Sequence, residues 1–176
     1  MTRYKSAFRF SLRLVALSMV LLVSCVGIVP LQSFVRSNGN YMYFVKPLRF
    51  RGSVCGEYVT IDWTVHASRD SVEKVVMNYS VFSRQPYRRV DSVRLSNAEY
   101  GGRWVKGGEC LYVEPTARGY QSRWSTDFPA EALQNLFASK RLFVELRGTK
   151  RITCESGWRE GKKIEKLEAE LLPMLP

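Results

Sequence analysis

The stretch Tyr58-Val59-Thr60-Ile61-Asp62-Trp63-Thr64-Val65-His66 alternates, with apolar residues at the odd positions and mostly polar ones at the even positions. A strand turns successive side chains to opposite faces, so a period of two over this length predicts a strand with one face in a core. The pattern returns at Val75, Met77, Tyr79 and Val81, with Asn78 and Ser80 facing the other way, and Ser68-Arg69-Asp70-Ser71 supplies the turn between the two strands.

Working outward, further strands are expected at 41–51, 89–96, 110–114, 120–126, 141–147 and 152–155. Gly52, Pro86, Gly101-Gly102, Gly107-Gly108, Pro115, Gly119 and Gly148 separate them, residues that turns favour. The segment holding the two glycine pairs reads as one long hairpin turn. Seven or eight short strands at this spacing predict a mainly β fold, either an antiparallel sandwich of immunoglobulin-like architecture or a small barrel. Two helices interrupt the pattern. Pro129 suits a first helical position, Glu131 favours the positive end of the helix dipole, and Leu133, Leu136 and Phe137 form one apolar face. A C-terminal helix is expected over about 161–172, with Ile164, Leu167 and Leu171 on one face and Pro173 stopping it. That stripe is expected to pack on the open side of a sheet.

The N-terminus has a different character. Arg3, Lys5, Arg9 and Arg13 precede the apolar run Leu14 to Val23, no acid interrupts either part, and the run ends in Leu22-Val23-Ser24-Cys25. The apolar run is too short for a comfortable membrane span, and a small residue before the cysteine supplies a processing site. This segment resembles the lipobox of bacterial lipoproteins. The resemblance covers only the first 25 or so residues. It implies that residues 1–24 are a cleaved signal peptide, that Cys25 is acylated and becomes the first mature residue, and that residues 25–40 are a lipidated tether. Val26 follows the cysteine where members retained in an inner membrane often carry Asp, which points to the outer membrane, and no acidic export tag follows, which favours its periplasmic face.

Residues 41–176 are then a single domain, within a mature chain of length typical of one domain. Hydrophobic content of 45% excludes a disordered chain. Four of the 27 basic residues leave with the signal and no acid does, so the net charge falls from +11 to +7. Such an excess suits an anionic partner, namely an envelope glycan or lipid phosphate, or an acidic protein face. Nucleic acid is not expected as a partner of an exported, membrane-tethered chain.

Catalysis is not expected. His66 is the one histidine and ends a strand on the polar face, which excludes a serine triad or a multi-histidine metal site. The glycine pairs lack the strand-then-helix setting of a phosphate loop, and no spacing singles out two of Asp62, Glu99 and Glu109 as an acid and base pair. No metal or cofactor is expected. Cys55, Cys110 and Cys154 lack paired spacing, and an oxidising compartment favours a disulfide over zinc.

If consecutive strands run antiparallel, the turns sort into two ends. The proximal end takes the tether, 66–71, 97–109 and the helix after Asp127. The distal end takes 52–56, 83–89, 115–119 and 148–151. Arg51, Arg84, Arg88, Arg89, Arg118, Arg147, Lys150 and Arg151 gather distally with few acids, and Arg84, Arg88, Arg89, Arg118, Lys150 and Arg151 are the candidate anion-binding set. Tyr87 and Tyr120 are expected to add aromatic contact there. The same parity places Cys55 and Cys154 together distally as the disulfide candidate and leaves Cys110 unpaired. A second reading makes the chain a structural or assembly subunit that contacts partners through its C-terminal helix or a sheet edge.

Overall fold

The computed structural model describes residues 30–175 apart from 38, 54 and 55. The alternating stretches form long central strands. In chain order the elements are β1 (Leu31–Val35), β2 (Tyr41–Gly52), β3 (Tyr58–Ala67), β4 (Val72–Ser83), β5 (Val90–Ser96), β6 (Arg103–Lys106), β7 (Glu109–Thr116), β8 (Gly119–Asp127), α1 (Ala130–Phe137), β9 (Phe143–Gly148), β10 (Ile152–Ser156) and α2 (Trp158–Glu170), with a final 3-10 turn at Leu172–Met174. All strand pairs are antiparallel, and the ten strands form one hydrogen-bonded sheet. The fold is therefore mainly β with a short connecting helix and a C-terminal helix, the class read from the sequence.

The sheet order is β6-β5-β9-β10-β2-β3-β4-β8-β7, with β1 paired to β2. Because every neighbour is antiparallel, β6 and β7, at the two ends of this order, run in the same direction. They are joined by only Gly107-Gly108, so one run of chain leaves β5 and continues along β8. The glycines are required by the crossing. A Cβ on Gly107 would lie 2.0 Å from the Val90 carbonyl oxygen, and one on Gly108, where φ is +83°, 2.0 Å from that of Ser125. This corrects the expectation of a long hairpin turn: residues 103–106 form a strand, and the chain crosses from one sheet end to the other instead of reversing.

The odd positions of β3 and β4 point into the core as expected. Val59, Ile61, Trp63 and Val65 meet Val75, Met77, Tyr79 and Val81, all buried. Helix α1 lays Leu133, Leu136 and Phe137 on this face, with Phe137 edge-on to Trp63 at 5.5 Å between ring centroids. Ile164 and Leu167 of α2 and Leu171, which caps its end, are fully buried, so the apolar stripe packs into the core. The helix begins at Trp158, one turn ahead of expectation.

Two more strands exist than the alternation predicted. Besides β6, strand β1 forms inside the segment expected to be tether. Four of its five residues are exposed, so it carries no alternation, and its order comes from backbone pairing to β2. The chain also enters away from the proximal end. The Lys46 N–H donates to the Pro30 carbonyl at 2.7 Å, half-way along β2, and β1 runs from there toward the proximal end.

Asn97 ties the link after β5 to the end of α1. Its buried side-chain amide donates to the carbonyls of Asn135 at 2.8 Å and Leu136 at 3.1 Å, and its Oδ1 accepts from the backbone N–H groups of Glu99 and Tyr100. A leucine there would leave these groups without partners. Asn97→Leu is expected to cost about 2–3 kcal/mol, read as a lower urea midpoint at unchanged slope.

Candidate functional site

The distal end assembles as the strand parity predicts, through contacts between four links. The link after β4 meets the turn before β8, where a Cβ on Gly119 would lie 2.3 Å from the Ser83 carbonyl oxygen and 3.0 Å from the Arg84 Cα. The same link meets the β9–β10 turn, with the Thr149 N–H donating to the Arg89 carbonyl at 2.9 Å. Lys150 pairs with Glu57, which joins the β9–β10 turn to the β2–β3 link. Missing β6 did not disturb the parity, because β6 and β7 run in one direction and add no reversal.

The six candidate cations divide into two kinds. Arg84, Arg88 and Arg118 are exposed, and their guanidinium groups have no ion pair among the described residues. Arg89 is paired to Asp91 at 2.7 Å, Lys150 to Glu57, and Arg151 to Glu145 at 2.8 Å. The first three hold charge available to a ligand, and the others have it partly neutralised.

Glu145 is the centre of a cluster that sequence reasoning missed. Its nearly buried carboxylate faces Arg94 at 2.7 Å, Arg151 at 2.8 Å and Arg147 at 3.6 Å. Arg147 also lies 4.0 Å above the Trp104 ring, and Arg94 lies 4.9 Å from it. Only the β5–β9 register, which sets Arg94 opposite Glu145 across 51 residues, reveals the cluster. The distal face carries a second aromatic platform, with Arg49 3.8 Å over Tyr58 and Tyr58 stacked on Phe82 at 4.3 Å.

Tyr87 is a correction. It is 1% exposed, its N–H donates to Ser122 Oγ at 3.1 Å and its hydroxyl donates to the Lys150 carbonyl. Burial raises its phenol pKa. Tyr87 plugs the end of the core and offers no surface to a ligand, whereas Tyr120 remains half-exposed.

The acids read as weak acid and base candidates are not brought together. Asp62 is committed to Arg123 at 2.9 Å and to the Asn78 amide at 3.0 Å, while Glu99 and Glu109 are exposed. His66 is half-buried on the outer face, and desolvation followed by the charges of Arg36 and Lys74 lowers its pKa. Among the described residues, no group of three His, Cys, Asp or Glu side chains has the spacing of a metal site, and no helix is long and apolar enough to cross a membrane.

Cys25 and Cys55 lie outside the described residues. Cys154 is a buried thiol on β10, opposite Gly52, and desolvation pushes its pKa up to about 12. Cys110 is exposed on β7, and burial of part of its side chain raises its pKa less far. With the thiolate as the nucleophile, maleimide at mildly alkaline pH is expected to label Cys110 in the folded protein and Cys154 only after unfolding. Mass mapping of the labelled peptides reads this directly, and labelling of native Cys154 at the rate of Cys110 would contradict its burial.

Comparison with known proteins finds no matching family model, no similar curated protein and no similar solved structure.

Proposed function

We propose that this chain is a non-catalytic lipoprotein of the bacterial envelope, held by lipid on Cys25 at the periplasmic face of the outer membrane. Its distal end binds an anionic envelope component, a glycan or lipid phosphate, or an acidic protein face. The observation that carries the reading is the convergence of four links at one end, where Arg84, Arg88 and Arg118 present unpaired guanidinium groups. Guanidinium groups capture carboxylate and phosphate oxygens in pairs, and exposed cations need no rearrangement to do so.

The structural or assembly reading keeps both its places, the C-terminal helix and the sheet edges. The stripe of α2 is buried, which leaves Trp158 at the start of the helix, 74% exposed, as its large apolar side chain at the surface. Of the sheet edges, β1 pairs with β2 alone and exposes Phe34 and Val35, and β7 exposes Leu111 and Tyr112. A register shift beside Leu111 and Pro115 in β7 both discourage strand addition along that strand.

The test is capture of lipid A dispersed in detergent micelles by the immobilised protein, at low and high salt, so that insertion of the Cys25 acyl chains does not itself supply the binding. A surface cation contributes about 1 kcal/mol toward an anionic membrane, so Arg84→Glu, Arg88→Glu and Arg118→Glu combined are expected to weaken binding on the order of 100-fold or more. Unfolding stability should stay within about 0.5 kcal/mol, since these side chains hold no partner. Arg151 is unsuited to this test, because its reversal would set two carboxylates together at Glu145. Lys106→Glu is the control. An equal loss from Lys106→Glu would reduce the effect to net charge, and salt-independent binding would move the contact to the C-terminal helix or a sheet edge.

A further inference from the structure

The lower outer face of the sheet, around β1 and β2, carries a surface that the distal site does not use. Register places Phe34 opposite Met42, and Met42 opposite His66, which in turn faces Lys74. Gln32 faces Phe44 in the next row. Cross-strand partners share a face, so Phe34, Met42 and Phe44 form an apolar group on the outside of the sheet. Phe34 is 49% exposed, and Met42 and Phe44 are half-buried. Arg36, Lys46 and Lys74 border the group. Lys74 is paired to Asp127 at 2.9 Å, whereas Arg36 and Lys46 have no ion pair among the described residues.

The chain ahead of β1 limits where this face can be. Only residues 26–29 separate Cys25 from Pro30, which is bonded to the middle of β2. Five residue steps at about 3.6 Å each span no more than about 18 Å, close to the radius of a domain of this size. A lipid on Cys25 therefore holds the domain against the bilayer by the β1 flank, wherever those few residues run. We propose that the β1–β2 outer face, with Phe34 at its centre, lies on the lipid bilayer as a second membrane contact, its cations over anionic headgroups. This inference rests on the lipoprotein reading. The apolar group adds to the acyl chains the further signal that stable anchoring uses, and it orients the domain so that the distal arginines are not its first contact with the anchoring membrane.

The experiment uses the full chain, expressed in a bacterial host and purified from the membrane fraction. It is reconstituted in vesicles of phosphatidylethanolamine and phosphatidylglycerol with brominated acyl chains, which quench nearby indole fluorescence. Phe34→Trp and Arg118→Trp are each placed in a Trp158→Phe background to remove the exposed native indole. The expected result is emission from the Phe34→Trp chain that is blue-shifted and quenched about twofold more than that of the Arg118→Trp chain, as befits a side chain within the interfacial region. Mass analysis of the same samples reports acylation of Cys25. An acylated chain with Phe34→Trp unquenched, or with Arg118→Trp quenched more, overturns this orientation and leaves the lipoprotein reading standing. A chain without acyl groups overturns both.

Discussion

Cys25→Ser is expected to move the protein from the membrane fraction to the soluble one, or to leave an uncleaved precursor of higher mass. Each buried acyl methylene contributes roughly 0.8 kcal/mol, and one chain alone gives only marginal, reversible attachment, whereas two or three hold through a high-salt wash. No described helix can substitute as a span. Fractionation with intact-mass analysis checks the expectation. Wild-type and Cys25→Ser proteins of equal mass and equal membrane retention would remove the lipoprotein reading, and with it the orientation argued for the β1 face.

Arg123→Met is expected to destabilise the fold by about 3 kcal/mol. Asp62 is 1% exposed on the outer face of β3, and its carboxylate is held by Arg123 at 2.9 Å and Asn78 at 3.0 Å. Arg123 also donates to Ser80 Oγ at 3.1 Å, which Gln121 reaches at 3.2 Å. Removing one partner of a buried pair leaves the other charge uncompensated, a cost of about 3–5 kcal/mol. The lower end applies here, because the Arg123 side chain keeps 25% exposure. Replacing both partners, Asp62→Leu with Arg123→Met, should recover most of the loss, since the desolvation of both charges is then avoided. Urea unfolding of the two single variants and the double variant measures the coupling. A loss below about 1 kcal/mol for Arg123→Met would mean that Asp62 reaches water once its partner is gone.

The two largest effects differ in how far they could be foreseen. Cys25 stands in a local motif, whereas the partner of Asp62 is 61 residues away and meets it through the adjacent strand β4. Asp62 was visible as an acid in the longest alternating stretch, but nothing in that stretch names Arg123. The same holds for Glu145, whose three arginines come from β5, β9 and the β9–β10 turn. Of the six candidate cations, the sequence could not tell that Arg84, Arg88 and Arg118 stay unpaired while Arg89, Lys150 and Arg151 meet acids.

By itself, the sequence determined the antiparallel β class, the two helices with their buried faces, and the sorting of turns into two ends. These follow from periods of two and 3.6 and from turn residues, which are properties of neighbouring residues. Tertiary structure alone decided the pairing of β1, whose exposed side chains carry no pattern, and the passage of Gly107-Gly108 between sheet ends. It also decided that Tyr87 is buried and which arginines are neutralised. Each of these depends on contacts across tens of residues, where register and closure of the core select the partner and local propensity has no say.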